Sequence, residues 1–350
     1  MGPLVRFGFW GLGAVAGAMA DDLRLVPGAA LHAVASRNGA AVAAFGERHG
    51  VRRRHVGLDA LLADAEVDVV YIATPALRHA EDCLAAIAAG KHVLCEKPFT
   101  MNAEEAAAVA SAAEHRGLFC MEAMWTRFVP AVQEAKRAVV EGRIGRVRLM
   151  TGDFAYPSKA EDSSRLLDSE AGGGALLDRG IYLVSLAQHL LGEAGAVRAM
   201  ATGADQIVWT LRFTDGALAS FAASMATRGR NACAIHGETG TVVLEDPFYR
   251  PHRVTTESFL PATLPIGGAR PRRVAVPALQ AWRRRMDGIL GRVAGRRTGA
   301  SIFPGHGYQF QLREVVRCVS AGLLQSEVMP LADSVAVLRI ADALRASSQA

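Results

Sequence analysis

The 350 residues, 51% hydrophobic and 21% charged, form an ordinary globular composition with length enough for two domains and real cores. The net charge of +5 is local: nine arginines against Asp287 between Arg270 and Arg297 carry +8 and leave −3 elsewhere, which argues against a nucleic-acid partner and for a solvated basic tract around Trp282. Five scattered cysteines with no C-x-x-C pair argue against a zinc site or a disulfide framework and fit a reducing cytoplasm; no segment reads as an export signal or membrane span.

In chain order, residues 4–9 are a short apolar strand, ended by Gly11-Leu12-Gly13 and followed by a small-residue helix to about Leu23. Residues 31–35 read as a second strand, 40–48 as a helix and 67–73 as a buried strand. A helix over 77–89 closes at Gly90, a strand runs through Cys95, and Asn102-Ala103-Glu104-Glu105 is a capping box for a helix to about Arg116. Strands separated by such helices imply βαβ units, so residues 1–123 are expected to be a doubly wound, dinucleotide-binding domain. Beyond a helix at 131–140 the pattern changes. A strand begins at Val147, the runs 208–213 and 218–221 flank the hairpin signal Asp215-Gly216, and 232–236 and 241–244 flank Glu238-Thr239-Gly240. Residues 124–350 therefore read as a substrate-binding α+β domain, a mostly antiparallel sheet carrying a helix over 174–191, with helices at 308–323 and 331–346 closing the chain. Pro261, Pro265, Pro271 and Pro277 argue against long regular elements within 250–303.

Gly11-x-Gly13-x-x-Ala16 between the first strand and its helix is the arrangement in which a pyrophosphate approaches backbone amides, placing Gly11, Gly13, Ala14 and Val15 at a dinucleotide. An acid is expected at the end of the second strand for NAD. Ser36-Arg37 stands there instead, a hydroxyl and a guanidinium suited to a 2′-phosphate, so NADP is expected over NAD unless Arg37 is a solvated loop residue. Ala73-Thr74-Pro75, with His79 behind, and Glu96-Lys97-Pro98 occupy the carboxyl edge of the parallel strands and are expected to line the nicotinamide end. Lys97 is one of four lysines, beside Lys91, Lys136 and Lys159, in a chain that otherwise uses arginine; unlike guanidinium, its ammonium can be made to release a proton.

In Gly172-Gly173-Gly174-Ala175-Leu176-Leu177-Asp178-Arg179-Gly180-Ile181-Tyr182, Asp178 and Tyr182 stand four apart and share a helix face that Ser185 and His189 continue. An Asp amid leucines and isoleucine needs a partner, and Lys97 qualifies. Here the chain resembles the glucose–fructose oxidoreductase/inositol dehydrogenase (Gfo/Idh/MocA) family, whose hallmark is similar to Glu96-Lys97-Pro98 and whose second-domain pair is similar to Asp178 and Tyr182. Within it, Met121 to Pro130 and the tail from Gly307 to Ser334 resemble the branch of dimeric dihydrodiol dehydrogenases and NADP-dependent D-xylose dehydrogenases. Many relatives have His where Tyr182 stands and an acid where Gln311 stands, and 250–303 departs from the pattern. The resemblance implies hydride transfer between nicotinamide and the alcohol, hemiacetal or carbonyl of a sugar, cyclic polyol or trans-dihydrodiol, and a homodimer through an open sheet face. On that reading Lys97 moves the proton, Tyr182 donates a hydrogen bond to the reacting oxygen and Asp178 orients. Trp125 and Phe154 are either substrate walls or core aromatics, and Arg127 contacts cofactor phosphate or braces the domain junction. A catalytically silent NADP sensor of the same fold is the competing class; it has no need to keep Lys97, Asp178 and Tyr182 together.

Overall fold

The structure is a computed structural model that describes residues 4–158, 173–258 and 296–348. The first half is a six-stranded sheet, every strand parallel to its neighbours, in the order β3-β2-β1-β4-β5-β6. Its strands are β1 (Val5–Trp10), β2 (Ala29–Ser36), β3 (Arg53–Val56), β4 (Val69–Ile72), β5 (His92–Cys95) and β6 (Cys120–Glu122). The helices between them include α1 (Ala14–Leu23), α2 (Gly39–His49), α3 (Leu58–Leu62), α4 (His79–Ala88) and α5 (Ala103–His115). Consecutive strands leave β1 in opposite directions, toward β2 on one side and β4 on the other. This switch point opens a crevice at the carboxyl edge, where the loops after β1 and β4 meet. The capping box forms with a variation: Asn102 accepts from the Glu105 amide at 2.9 Å, while Glu105 reaches back to the Met101 amide at 3.1 Å.

The second half is an eight-stranded sheet in the order β14-β13-β12-β11-β7-β10-β9-β8. It comprises β7 (Val147–Ala155), β8 (Ala194–Thr202), β9 (Gln206–Phe213), β10 (Leu218–Ser224), β11 (Cys233–Gly237), β12 (Gly240–Leu244), β13 (Arg253–Ser258) and β14 (Arg296–Ala300). Both anticipated hairpins form, β9–β10 around Gly216 and β11–β12 around Thr239, and only β7 and β10 pair in parallel. Strand β9 alternates strictly, with Ile207, Trp209, Leu211 and Phe213 buried and Val208 exposed. The buried face carries helices, among them α6 (Pro130–Val140) and α7 (Ile181–Leu191). After α8 (Gln309–Ser320), the last helix, α9 (Leu331–Ser348), packs on α7, β8 and α5, tying the second half to the first.

Several sequence expectations are corrected. Strands β3, β6 and β8 were not expected: the first two are short, and β8 is rich in Ala, which carries little strand signal. Helix 77–89 starts as a 3-10 turn over Ala76–Arg78, and the expected helix from 174 starts as a π-helical turn over Leu176–Gly180. Within 250–303, strands β13 and β14 pair to extend the sheet; the proline-rich centre and most of the basic tract lie outside the described residues, as does Gly172.

Candidate active site

The loop after β1 is shaped by glycine for two different reasons. Gly11 has φ +92°, and a Cβ there would sit 2.5 Å from the Ala73 carbonyl oxygen, so the fold itself demands glycine. Gly13 has ordinary extended angles and a Cβ there would meet nothing within 4 Å, so the protein has no steric need for glycine. The space it leaves open belongs to a cleft of about 280 Å³, lined by Gly13, Ala14, Val15, Thr74, Lys97 and Asp178 among others. Gly13, the N-cap of α1, has no side chain to cap it, so the first amides of the helix are left without an N-cap bond, as a pyrophosphate requires. These residues fit a dinucleotide.

Thr74, Pro75, His79 and Glu96 also line the cleft. The Thr74 hydroxyl and the Trp10 indole N–H both donate to Asp82 Oδ2, at 2.7 and 2.9 Å, so a fully buried carboxylate on α4 ties the ends of β1 and β4 together. Asp82 was not singled out from the sequence, where an acid in a first turn reads as solvated. His79 sets one ring nitrogen 2.8 Å from the Pro98 carbonyl and the other 2.8 Å from that of Thr74, clamping the two loops. Burial keeps its pKa below the usual imidazole value despite those carbonyls. At the end of β2, Ser36 Oγ accepts from the Asn38 amide at 3.2 Å, and exposed Arg37 has no hydrogen bond or ion pair among the described residues.

Lys97 leaves the loop after β5 and meets the π-helical turn of the second half. Its Nζ lies 3.1 Å from Asp178 Oδ1, 2.9 Å from the Asp178 carbonyl oxygen and 5.0 Å from the centre of the Tyr182 ring. The chain thus brings together a loop lysine from its first half and two helical residues from its second. Burial disfavours the ammonium, but Asp178 first, then Tyr182 and Glu96, outweigh it and raise the Lys97 pKa above its ordinary value. Burial raises the Tyr182 pKa as well. The Trp125 indole donates to the Tyr182 oxygen at 3.2 Å, which leaves the phenol proton available to another acceptor. Glu96, whose pKa burial also raises, accepts from Tyr71 Oη at 2.7 Å and from the Lys97 amide at 3.2 Å, fixing the loop from behind.

Trp125 and Phe154 are almost fully buried, belong to the hydrophobic core and both meet Tyr182. Tyr249 stacks on Phe154 with centroids 4.7 Å apart, Phe154 meets Tyr182 edge-on at 5.5 Å, and Tyr308 lies 4.8 Å from Trp125. Tyr249 follows a turn with no periodic signal, and nothing in its sequence context singled it out. Arg127 stands apart. It is fully buried, donates to Ser185 Oγ at 2.8 Å and the Ser185 carbonyl at 2.9 Å, and pairs with Asp333 at 2.5 Å. The geometry is that of the brace, and it does not place Arg127 in the cleft. The face continued by Ser185 accordingly leads to this brace, away from Lys97.

A parallel sheet with a glycine loop at its switch point, beside a lysine met by helical groups from the second half, fits a nicotinamide-nucleotide oxidoreductase. Residues 5–124 match the family profile described as an oxidoreductase family with an NAD-binding Rossmann fold, and residues 132–243 match the GFO/IDH/MocA C-terminal domain. The trans-1,2-dihydrobenzene-1,2-diol dehydrogenase of Danio rerio is 31% identical over 97% of this chain and 96% of its own. The chain belongs to the Gfo/Idh/MocA oxidoreductase family and is a dehydrogenase or reductase with an NAD(P)-binding Rossmann domain. Among solved structures, levoglucosan dehydrogenase in complex with NADH and levoglucosan shares the fold, with TM-score 0.81, 24% identity and coverage of 99% of this chain and 97% of that one. A 3-ketoreductase from Actinomadura kijaniata in complex with TDP-benzene and NADP has TM-score 0.76 at 25% identity, covering 98% of each chain.

Proposed function

We propose that this chain transfers hydride between NADP(H) and a secondary alcohol, hemiacetal or carbonyl on a sugar, cyclic polyol or trans-dihydrodiol. The observation that carries the reading is the meeting of Lys97 Nζ with Asp178 at 3.1 Å beside the Tyr182 ring, at the edge of the cleft that the glycine loop opens. Nicotinamide, when bound, takes or returns the hydride. The protein's share is the proton. In oxidation, neutral Lys97 takes the hydroxyl proton as the C–H bond breaks; in reduction, the ammonium returns it to the oxygen. Tyr182, its own oxygen held by Trp125, donates a hydrogen bond to the reacting oxygen, and Asp178 holds Lys97 in place. Asp178 also opposes deprotonation, and a cationic ring nearby is the counterweight in the oxidised complex.

NADP is preferred over NAD because Ser36 and exposed Arg37 stand where a ribose-binding acid would. Trp125, Phe154 and Tyr249 form an aromatic cluster beside Tyr182, suited to the apolar face of a pyranose or a cyclohexadiene diol; the dihydrodiol dehydrogenase relatives favour the latter. We take 1–123 as the nucleotide unit and 124–350 as the substrate unit. The solvent-facing side of the large sheet carries Leu149, Met200, Val208 and Leu218, an apolar set suited to a second copy of this chain. Buried free cysteines fit a reducing compartment such as the cytoplasm. A panel of aldoses, inositols and trans-1,2-dihydrobenzene-1,2-diol with NADP+, followed by nicotinamide absorbance, tests the reading. Turnover of at least one class is expected, and none across the panel would overturn it.

A further inference from the structure

Arg179 belongs to neither the nucleotide cleft nor the aromatic cluster, yet it is about nine-tenths buried on the π-helical turn next to Asp178. A buried guanidinium is costly unless its donors are placed. Here Nη1 donates to the carbonyls of Tyr156 and, at 2.5 Å, Ser224, and Nη2 donates to Ser158 Oγ at 3.0 Å. These anchors fix the side chain on the ends of β7 and β10. Its Nε stands 3.7 Å from Asp178 Oδ2, while Lys97 holds Oδ1 of the same carboxylate at 3.1 Å.

We propose that Arg179 is a positioning residue of the hydride-transfer reaction, sharing Asp178 with Lys97 so that the carboxylate is fixed in orientation and its grip on the ammonium is loosened. The inference rests on the proton role assigned to Lys97 above. A carboxylate that faces one cation holds it charged; a second cation on the far oxygen offsets part of that field. Among the described residues, the other groups around the pair are Tyr182 and Glu96 facing Lys97, His79 near it and Tyr249 facing Arg179. All of them stay in the chain when residue 179 alone is altered, so the charge at 179 is the one that the test varies. In the oxidative step the carbinol C–H pair leaves as hydride to the bound nicotinamide, the O–H proton passes to neutral Lys97, and the ammonium later releases it to solvent. Lys97 must therefore lose a proton before each turnover, and Arg179 sets how readily it does so.

The test is the pH dependence of kcat for oxidation of trans-1,2-dihydrobenzene-1,2-diol by NADP+, or of D-xylose if the diol is not turned over. In Arg179→Gln the acid limb should move up by about one pH unit, a roughly tenfold loss below the limb that recovers toward the wild-type plateau at alkaline pH. Arg179→Lys, which keeps a cation on the turn, should move the limb up by less than half as much. A folded Arg179→Gln whose rate falls equally at every pH, or whose limb coincides with wild type, overturns the proposal. Should that variant not fold, Arg179→Met, which also removes the charge, carries the test: a raised limb supports the inference and an unmoved one overturns it. A wild-type enzyme that turns over no substrate of the panel fails the functional reading itself, and the inference with it; any other panel substrate that it oxidises serves for the same pH test. Unchanged variant profiles beside an active wild type fail only the inference.

Discussion

The two halves of the site are built on opposite terms. On the nucleotide side the chain works by leaving atoms out: Gly11 admits a backbone approach that any side chain would block, and Gly13 leaves space that only a ligand would use. On the other side it works by gathering atoms: Lys97, Trp125 and the pair Asp178 and Tyr182 come from three separate stretches and are held by bonds of 2.9 to 3.2 Å and a ring contact at 5.0 Å. Backbone sites of the first kind are local in sequence. Side-chain sites of the second kind depend on how distant elements cross, and an error in one crossing undoes them.

The sharpest way to break this contrast is at Lys97. Lys97→Met should lower kcat by about a thousandfold or more, the scale of losing a general acid–base group together with its positioned charge, while NADPH affinity measured by fluorescence stays within a few fold. An equal collapse of binding would mean the lysine belongs to the nucleotide side instead. At the glycines the expected split is between ligand and fold. Gly13→Ala should weaken NADPH binding by roughly ten- to a hundredfold with little change in Tm, about 1.4–2.7 kcal/mol of binding energy. Gly11→Ala should instead lower stability by at least about 1–2 kcal/mol, from its left-handed backbone alone. Reversal of those two outcomes would contradict the reading of the loop. Smaller again, Arg37→Ala should cost roughly tenfold in NADPH affinity and leave NADH binding unchanged, in line with loss of one charge-assisted contact. Equal effects on both nucleotides would make Arg37 a solvated loop residue.

The same contrast explains what the sequence made legible. The alternation of strand and helix in the first half, the glycine loop and the Asp215-Gly216 hairpin rest on period and turn chemistry, and the structure carries them. The pairing of Lys97 with Asp178 could be argued from chemistry alone, since an acid among leucines needs a cation. The π-helical turn that presents Asp178 could not, because Leu176 to Gly180 has the composition of an ordinary helix start. Tyr249 and Tyr308 lie in turn segments where no period exists to place a ring, and Asp82 and Arg179 carry charges that read as solvated until the surrounding chain buries them. Strand β14 was hidden for a related reason: Arg296-Arg297-Thr298 becomes a strand only by pairing with Thr256 and Thr255 across a long insertion.

The central claim is that a lysine from the nucleotide half carries the proton under the grip of a carboxylate from the other half. Its most direct test is the pH dependence of kcat for alcohol oxidation in Asp178→Asn beside wild type. Asp178 raises the Lys97 pKa, so removing its charge lowers that pKa, and the acid limb should move down by one unit or more, on the order of an opposite charge at this range, even if the plateau falls. A limb that stays in place or moves up would contradict the account.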